Sequence, residues 1–236
     1  MEGGTVTNAD NKNKKGIVIG FVGLIGAGKD TAADYLVNFH GFRRDSFAST
    51  LKDAVAAVFG WDRTLLEGRT KEAREWREQT DDWWAERLNM PNLTPRWILQ
   101  YWGTDVVRNS FHDDMWIASL ENKMRKTTDN IVISDVRFPN EIKAIHDAGG
   151  LVIRIKRGDD PEWFIDAEHY NAGPDGNLDW ALSKNRLNAH KIHASEYSWV
   201  GGNIDKTVVN DTTIDNLFKQ LEAIIISPEL NLPDAT

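Results

Sequence analysis

The sequence predicts an α/β protein with a mainly parallel sheet flanked by helices, a helical insertion and a lid-like segment, and three observations carry that expectation. Apolar runs of strand length alternate along the chain with stretches of helical period. The first run, Ile17 to Val22, leads through Gly23, Gly26, Gly28 and Lys29 into a helix start at Thr31 to Leu36. A second buried run, Ile131 to Ser134, ends on Asp135, a carboxylate where open α/β sheets bind ligands.

The glycine-rich turn has the geometry of a phosphate-binding loop. Glycines let backbone N–H groups close around an anion, the helix N-terminus adds about half a positive charge, and a lysine reaches the terminal phosphates. The pattern G-x-x-x-x-G-K-[S/T] is met through Lys29 and then broken, because Asp30 stands where a hydroxyl normally holds magnesium and Thr31 comes one place late. A carboxylate beside phosphates needs compensation by magnesium, water or a cationic group. A nucleoside triphosphate is the expected ligand of Gly23, Gly26, Ala27, Gly28, Lys29 and Thr31, with Asp30 and Thr31 as candidate magnesium ligands.

Beyond the loop helix, Gly41 reads as its C-cap and Phe42 to Ala48 as a mixed second strand. Leu51, Ala54, Val55, Val58 and Phe59 then recur at helical spacing up to Gly60. Lys52 lies off that stripe, either as a cation for an acceptor or as part of a solvated face. Residues 61–93 are charged and tryptophan-rich and read as a helical insertion. Most of the ten tryptophans are expected in the core, since their area is too large to leave in water.

Thr94-Pro95 caps and opens a further helix, in which Ile98, Trp102 and Val106 share a face. Gly103-Thr104 interrupts that pattern, which suggests a close approach of backbone to ligand. Trp116, Ile117, Leu120 and Met124 form the next stripe; Pro139 opens a helix that Gly149-Gly150 ends, and Leu151 to Lys156 is another strand. Over 157–202 the pattern dissolves into Gly, Asp, Asn and His, the mark of a lid or a disordered segment. His146, His169, His190 and His193 do not form a recognised zinc spacing. Thr207 to Val209 is a short strand, and Asp211 reads as the cap of a last helix with the stripe Ile214, Leu217, Phe218, Leu221, Ile224 and Ile225.

One domain over 16–226 is expected, between a polar tail over 1–15 and a tail over 227–236. The net charge of −8 with no basic stripe argues against nucleic acid as a partner. The absence of cysteine removes disulfides, thiolate catalysis and thiolate metal sites together. No apolar run approaches a membrane span and Met1 to Lys15 lacks a signal-peptide core, so a cytoplasmic protein is expected.

The segments GLIGAGKDTAADYL, SFASTLKDAV, RWILQYWGTD, the dipeptide MW and ISDVRFPNE together resemble the bacteriophage deoxynucleoside monophosphate kinase family, a branch of the P-loop nucleoside monophosphate kinase fold. The likeness runs from Gly16 to Lys156 and more weakly through HASE and TVVND. It implies transfer of the ATP γ-phosphoryl group to a deoxynucleoside 5′-monophosphate with magnesium, in the host cytoplasm for a phage protein. Lys29, Asp30 and Arg137 would be catalytic, and Lys52, Arg96, Gly103, Thr104, Trp116, Asp135, Arg137 and Glu141 would bind the acceptor. Arg154, Arg157 and Arg186 are candidates for a clamp on the transferring group. A homodimer is compatible with this reading. Two rivals stay open: another P-loop kinase for a metabolite or a phosphorylated isoprenoid precursor, and a nucleotide-dependent switch. A GTPase-type switch would usually carry Asn-Lys-x-Asp, a tetrad the chain lacks.

Overall fold

Among the described residues five strands form one sheet in the order β2-β3-β1-β4-β5: Val18–Val22 (β1), Arg43–Asp45 (β2), Ile131–Ile133 (β3), Leu151–Lys156 (β4) and Lys206–Val209 (β5). The computed structural model describes residues 16–174 and 179–227, so the expected tails lie outside the described residues apart from Ser227. β1 pairs in parallel with both β3 and β4, and β4 pairs in parallel with β5. Every residue of β1 is buried, as a central strand covered on both faces requires. That explains why VIGFV is uninterrupted by polar residues. Its Gly20 admits helix Pro139–Asp147 (α8), because a Cβ there would stand 2.3 Å from Ile145 Cδ1.

The described residues fall into two compact units, one of them Asp45–Asn122 and the other holding the sheet. In the sheet unit, Lys29–His40 (α1) and Ile214–Ile225 (α12) pack Leu36, Leu217 and Leu221 against Phe21, Ile153 and Ile155. Gly41 ends α1 in the left-handed region at φ 65°, with its N–H toward Leu36. On the same two helices Tyr35 stacks on Phe218 and donates to Glu222 at 2.6 Å. Burial and that carboxylate together push the phenol up to about 12.

The second unit contains Ser49–Phe59 (α2), Arg63–Glu67 (α3), Lys71–Glu78 (α4), Asp82–Leu88 (α5) and Pro95–Gln100 (α6), with helix Met115–Met124 (α7) starting within it. Residues 61–93 are helical as expected, and Asp62, Thr70 and Asp81 cap the three helices by accepting from Thr64, Ala73 and Trp84 N–H. Leu51, Val55, Phe59, Trp61, Leu66, Ile98 and Trp116 form its core, with Trp76, Trp84, Trp97 and Trp102 packed against it. The core assignment of most tryptophans therefore holds. Trp83 is an exception at 62% exposed.

Four expectations change. The second strand, expected over 42–48, is confined to Arg43–Asp45 because helix α2 begins at Ser49, and the last helix is capped by Thr213, which accepts from Asn216 N–H, while Asp211 accepts from Gly158 N–H. The helix opened by Pro95 does not break at Gly103-Thr104 but continues as a π-helix over Tyr101–Arg108, with Asn109 N–H donating to the Thr104 carbonyl at 2.8 Å. The stretch read as irregular over 157–202 contains helices Phe164–Asn171 (α9), Asp179–Ala189 (α10) and Ala194–Tyr197 (α11). α9 and α10 are joined by Asp166, which accepts from Arg186 at 2.8 Å and Ser183 at 3.2 Å, and by the Tyr170–Trp180 stack. Long-range polar pairs of this kind leave no periodic apolar stripe to read. Among the described residues no helix is long and apolar enough to cross a membrane.

Candidate active site

The site grows from the turn between β1 and α1. Gly23, Gly26 and Gly28 have φ of 143°, 78° and 102°, conformations that a side chain would resist. Gly23 also lies against β4, where a Cβ would meet the Ile155 carbonyl at 2.3 Å. Asn210, just past β5, donates to the Ala27 carbonyl at 2.9 Å, and a Cβ on Gly28 would sit 2.5 Å from the same amide nitrogen. Three strands thus fix the loop. Asn210 lay in the TVVND stretch without an assigned role, and only the parallel order β1-β4-β5 shows why it reaches the loop.

Lys29 opens α1, and its ammonium donates to the carbonyls of Gly23 at 2.7 Å and Leu24 at 3.0 Å. An ammonium has three protons, so one remains for an anion after these two bonds. Burial lowers the Lys29 pKa first and the Arg137 guanidinium lowers it further, while Asp30, Glu196 and Asp135 offset part of the change. Two cations and three carboxylates therefore share one electrostatic neighbourhood at the C-terminal ends of β1 and β3. The sheet brings together Lys29, Asp30, Asp135 and Arg137, all four singled out from sequence.

Asp30 answers the question raised by its unusual place in the loop. Its Oδ1 is held by Arg44, which also bonds Asp34 at 2.7 Å and Ser134 at 2.5 Å, and Ser134 Oγ lies 3.2 Å from the same carboxylate oxygen. Arg44 stands on β2 and Ser134 follows β3, so neighbouring strands supply the compensating cation and hydroxyl. Neither residue carried a signal in sequence, because pairing β2 beside β3 is a long-range event. The Asp30 side chain stays 83% exposed and its second oxygen makes no hydrogen bond to a described residue. Thr31 is exposed one position on. Among the described residues no group of three or more His, Cys, Asp or Glu could cage a metal. Magnesium keeps waters and is commonly bound by one or two carboxylates plus substrate phosphates, and the donor set at Asp30 and Thr31 fits that mode.

Glu141 has a different task from the one expected. It is 3% exposed, and its Oε2 accepts from the backbone N–H groups of Arg137 at 2.8 Å and Phe138 at 3.2 Å. The carboxylate is buried against the start of α8 and fixes the turn that aims Arg137, instead of facing a ligand. Pro139 at the first helical position sets the same turn.

In the second unit Lys52 donates to Glu67 at 2.7 Å, and Arg63 holds the other oxygen at 2.5 Å. Burial pushes the Glu67 carboxyl up, but the two cations outweigh it and hold the group at about 2. Gly103 proves to be a packing glycine, since a Cβ would meet Leu51 Cδ2 at 2.8 Å and its carbonyl accepts from the Trp116 indole at 2.9 Å. Trp116 is 7% exposed and belongs to that core. Arg96 and Thr104 are exposed on α6 and its continuation. Of the clamp candidates, Arg154 is tied to Asp160 and lies 4.6 Å from the Phe164 ring centre and 5.3 Å from that of Trp199, while Arg186 is tied to Asp166.

The family model described as deoxynucleotide monophosphate kinase matches residues 69–173. The putative deoxynucleotide monophosphate kinase of Acanthamoeba polyphaga mimivirus is 36% identical, over 60% of this chain and 74% of that protein. The deoxynucleoside-5′-monophosphate kinase of Escherichia phage T5 is 26% identical, over 57% of this chain and 74% of that protein. Among solved structures, dephospho-CoA kinase from Campylobacter jejuni matches with a TM-score of 0.41 and 16% identity, over 88% of this chain and 95% of that one.

Proposed function

The chain belongs to the deoxynucleotide monophosphate kinase family, and we propose that it transfers the γ-phosphoryl group of ATP to the 5′-phosphate of a deoxynucleoside monophosphate. A bond forms between an acceptor phosphate oxygen and the γ-phosphorus, and the bond from that phosphorus to the β,γ-bridging oxygen breaks. ADP and the deoxynucleoside diphosphate leave. The acceptor phosphate has a second pKa of about 6 and is largely dianionic at neutral pH, so the reaction needs no general base. Catalysis is then positioning and charge neutralisation.

The observation that carries this reading is the placing of Lys29 and Arg137 together at the glycine loop, close enough that each opposes the other's charge. The loop N–H groups and Lys29 hold the donor phosphates, and Arg137 grips the acceptor phosphate with its planar fork. Asp135 stands beside the same cations and orients the acceptor or its arginine. Asp30 and Thr31 would hold magnesium, which would supply positive charge to offset that of the phosphates. In the second unit Arg96 and Thr104 are acceptor-binding residues by family likeness, whereas Lys52 is engaged with Glu67. The reaction belongs to the cytoplasm, that of the host for a viral chain.

The test is a panel of deoxy- and ribonucleoside monophosphates incubated with ATP and magnesium, read as diphosphate formed. Turnover of at least one deoxynucleotide, with the matching ribonucleotide poorer, is expected. Turnover only of acceptors that are not nucleotides would transfer the chain to another class of small-molecule kinase.

A further inference from the structure

α11 is short and polar, yet it is fastened to the interior. The backbone carbonyl of Glu196 accepts from the indole of Trp199 at 2.9 Å, and that tryptophan is 3% exposed beside Phe164. At the start of the helix His193 Nδ1 accepts from the Ser195 N–H at 3.3 Å and lies 2.9 Å from Ser195 Oγ. Because Nδ1 already acts as an acceptor, the Ser195 hydroxyl donates to it and turns a lone pair outward.

That lone pair and the Glu196 carboxylate meet one atom. Arg137 Nη1 donates to Glu196 Oε1 at 2.7 Å and to Ser195 Oγ at 3.2 Å. Nη1 has two protons and both are used, while the Nε and Nη2 protons make no hydrogen bond to a described residue. The Arg137 side chain is 42% exposed although Glu196, which holds it, is only 24% exposed, so the guanidinium is anchored yet open to a ligand. From the other side, Glu141 fixes the backbone N–H of Arg137.

We infer that Glu196 and Ser195 are positioning residues for Arg137: they hold one nitrogen of its guanidinium so that the opposite edge, Nε with Nη2, is presented as a ready two-point donor to the acceptor phosphate. The inference rests on the reading of Arg137 as the acceptor grip. An arginine has high rotamer freedom, and a phosphate that must first order it loses affinity. A bidentate pair gains most when its fork is fixed beforehand. The stretch 194–197 thereby acquires a specific role in the reaction, although it holds no group that touches a reacting atom.

The experiment is a double-mutant cycle in the full chain, with Arg137→Ala, Glu196→Ala and the double variant, plus Glu196→Gln as the conservative change that can still accept from Nη1. Michaelis constants for the deoxynucleotide and for ATP are measured beside kcat and the melting temperature. Glu196→Ala should raise the deoxynucleotide KM about fivefold to tenfold, the size of an immobilised side chain, and leave the ATP KM within about twofold. Glu196→Gln should recover most of that loss, and Glu196→Ala should add nothing in the Arg137→Ala background. An unchanged deoxynucleotide KM in Glu196→Ala, or the full effect persisting without Arg137, overturns the inference. If Arg137→Ala raises the ATP KM and spares the deoxynucleotide KM, the acceptor reading of Arg137 fails, and the cycle evaluated on ATP still decides whether Glu196 acts through Arg137.

Discussion

Asp30 is the residue at which this loop departs from the general phosphate-loop pattern, and its surroundings give it two separable roles. One oxygen is anchored by Arg44 and Ser134, and the other faces outward from a side chain that is mostly exposed. A purely structural aspartate at a helix start is replaced by asparagine at little cost, since both suit that position. Asp30→Asn keeps the size and the acceptor carbonyl but loses the charge that faces Arg44 and that is proposed to hold magnesium. The expected outcome is a melting temperature within about 2 °C of wild type, from an exposed pair worth about 1 kcal/mol or less. Turnover should fall by at least about tenfold, a loss of about 1.4 kcal/mol of transition-state stabilisation, with a higher magnesium requirement. Unchanged turnover and unchanged magnesium dependence would reduce Asp30 to a helix-start residue. The sequence made Lys29, Asp30, Asp135 and Arg137 visible because each sits at a fixed offset from a strand end. It hid the roles of Arg44, Ser195, Glu196 and Asn210, whose partners are brought to them by strand order or by a distant turn and not by local spacing.

At the scale of elements, strands and capped helices were legible wherever burial is one-sided or complete, as in VIGFV and LVIRIK. The π-helix over Tyr101–Arg108 was not, because a glycine in a helix pattern signals a break unless the neighbouring helix is known. Here Leu51 of α2 occupies the space a Cβ would need, and the Trp116 indole takes the Gly103 carbonyl. Gly103→Ala gains up to about 1 kcal/mol of helix propensity and loses about 1–3 kcal/mol to overpacking, so a small net destabilisation is expected. The deoxynucleotide KM should stay within about twofold, since the contact lies inside the unit's own packing. A large rise in that KM at constant melting temperature would restore Gly103 as a point of ligand approach. The same unit contains a pH-sensitive tie between α2 and α3. Glu67 is held at about 2 by Lys52 and Arg63 against a usual value of 4.5, so its folded pKa is depressed. Its contribution is present above pH 4.5 and is lost as pH falls toward 2. The shift corresponds to about 3 kcal/mol, and partial exposure to solvent reduces this to about 1–2 kcal/mol. Denaturant unfolding of Glu67→Gln should show that deficit at pH 7 and a much smaller one at pH 3; an equal deficit at both would assign the loss to packing.

At the scale of the whole molecule, a chain of net charge −8 is proposed to gather polyanionic nucleotides. The general field opposes that, so affinity must come from the local arrangement at the loop, where two cations are outnumbered by Asp30, Asp135 and Glu196. Donor binding should therefore depend both on Lys29 and on a divalent ion that offsets the surplus negative charge. Ligand that binds only the folded chain stabilises it, by about 2.7 kcal/mol at one hundred times its Kd. For a chain of this size each kcal/mol moves the melting temperature by about 2–4 °C, so saturating ATP with magnesium should raise it by about 5–10 °C. Chelating the magnesium should cut that rise to less than half, because ATP then meets the three carboxylates unscreened. Lys29→Ala should abolish it while leaving the unliganded melting temperature nearly unchanged, since a half-buried ammonium bonded to two loop carbonyls adds little net stability. The readout needs no turnover, so it separates donor binding from chemistry. An equal thermal rise in wild type and Lys29→Ala would place the nucleotide away from the glycine loop. A rise indifferent to magnesium would show that Arg137 and Lys29 alone balance the triphosphate, leaving Asp30 and Thr31 no part in holding a metal.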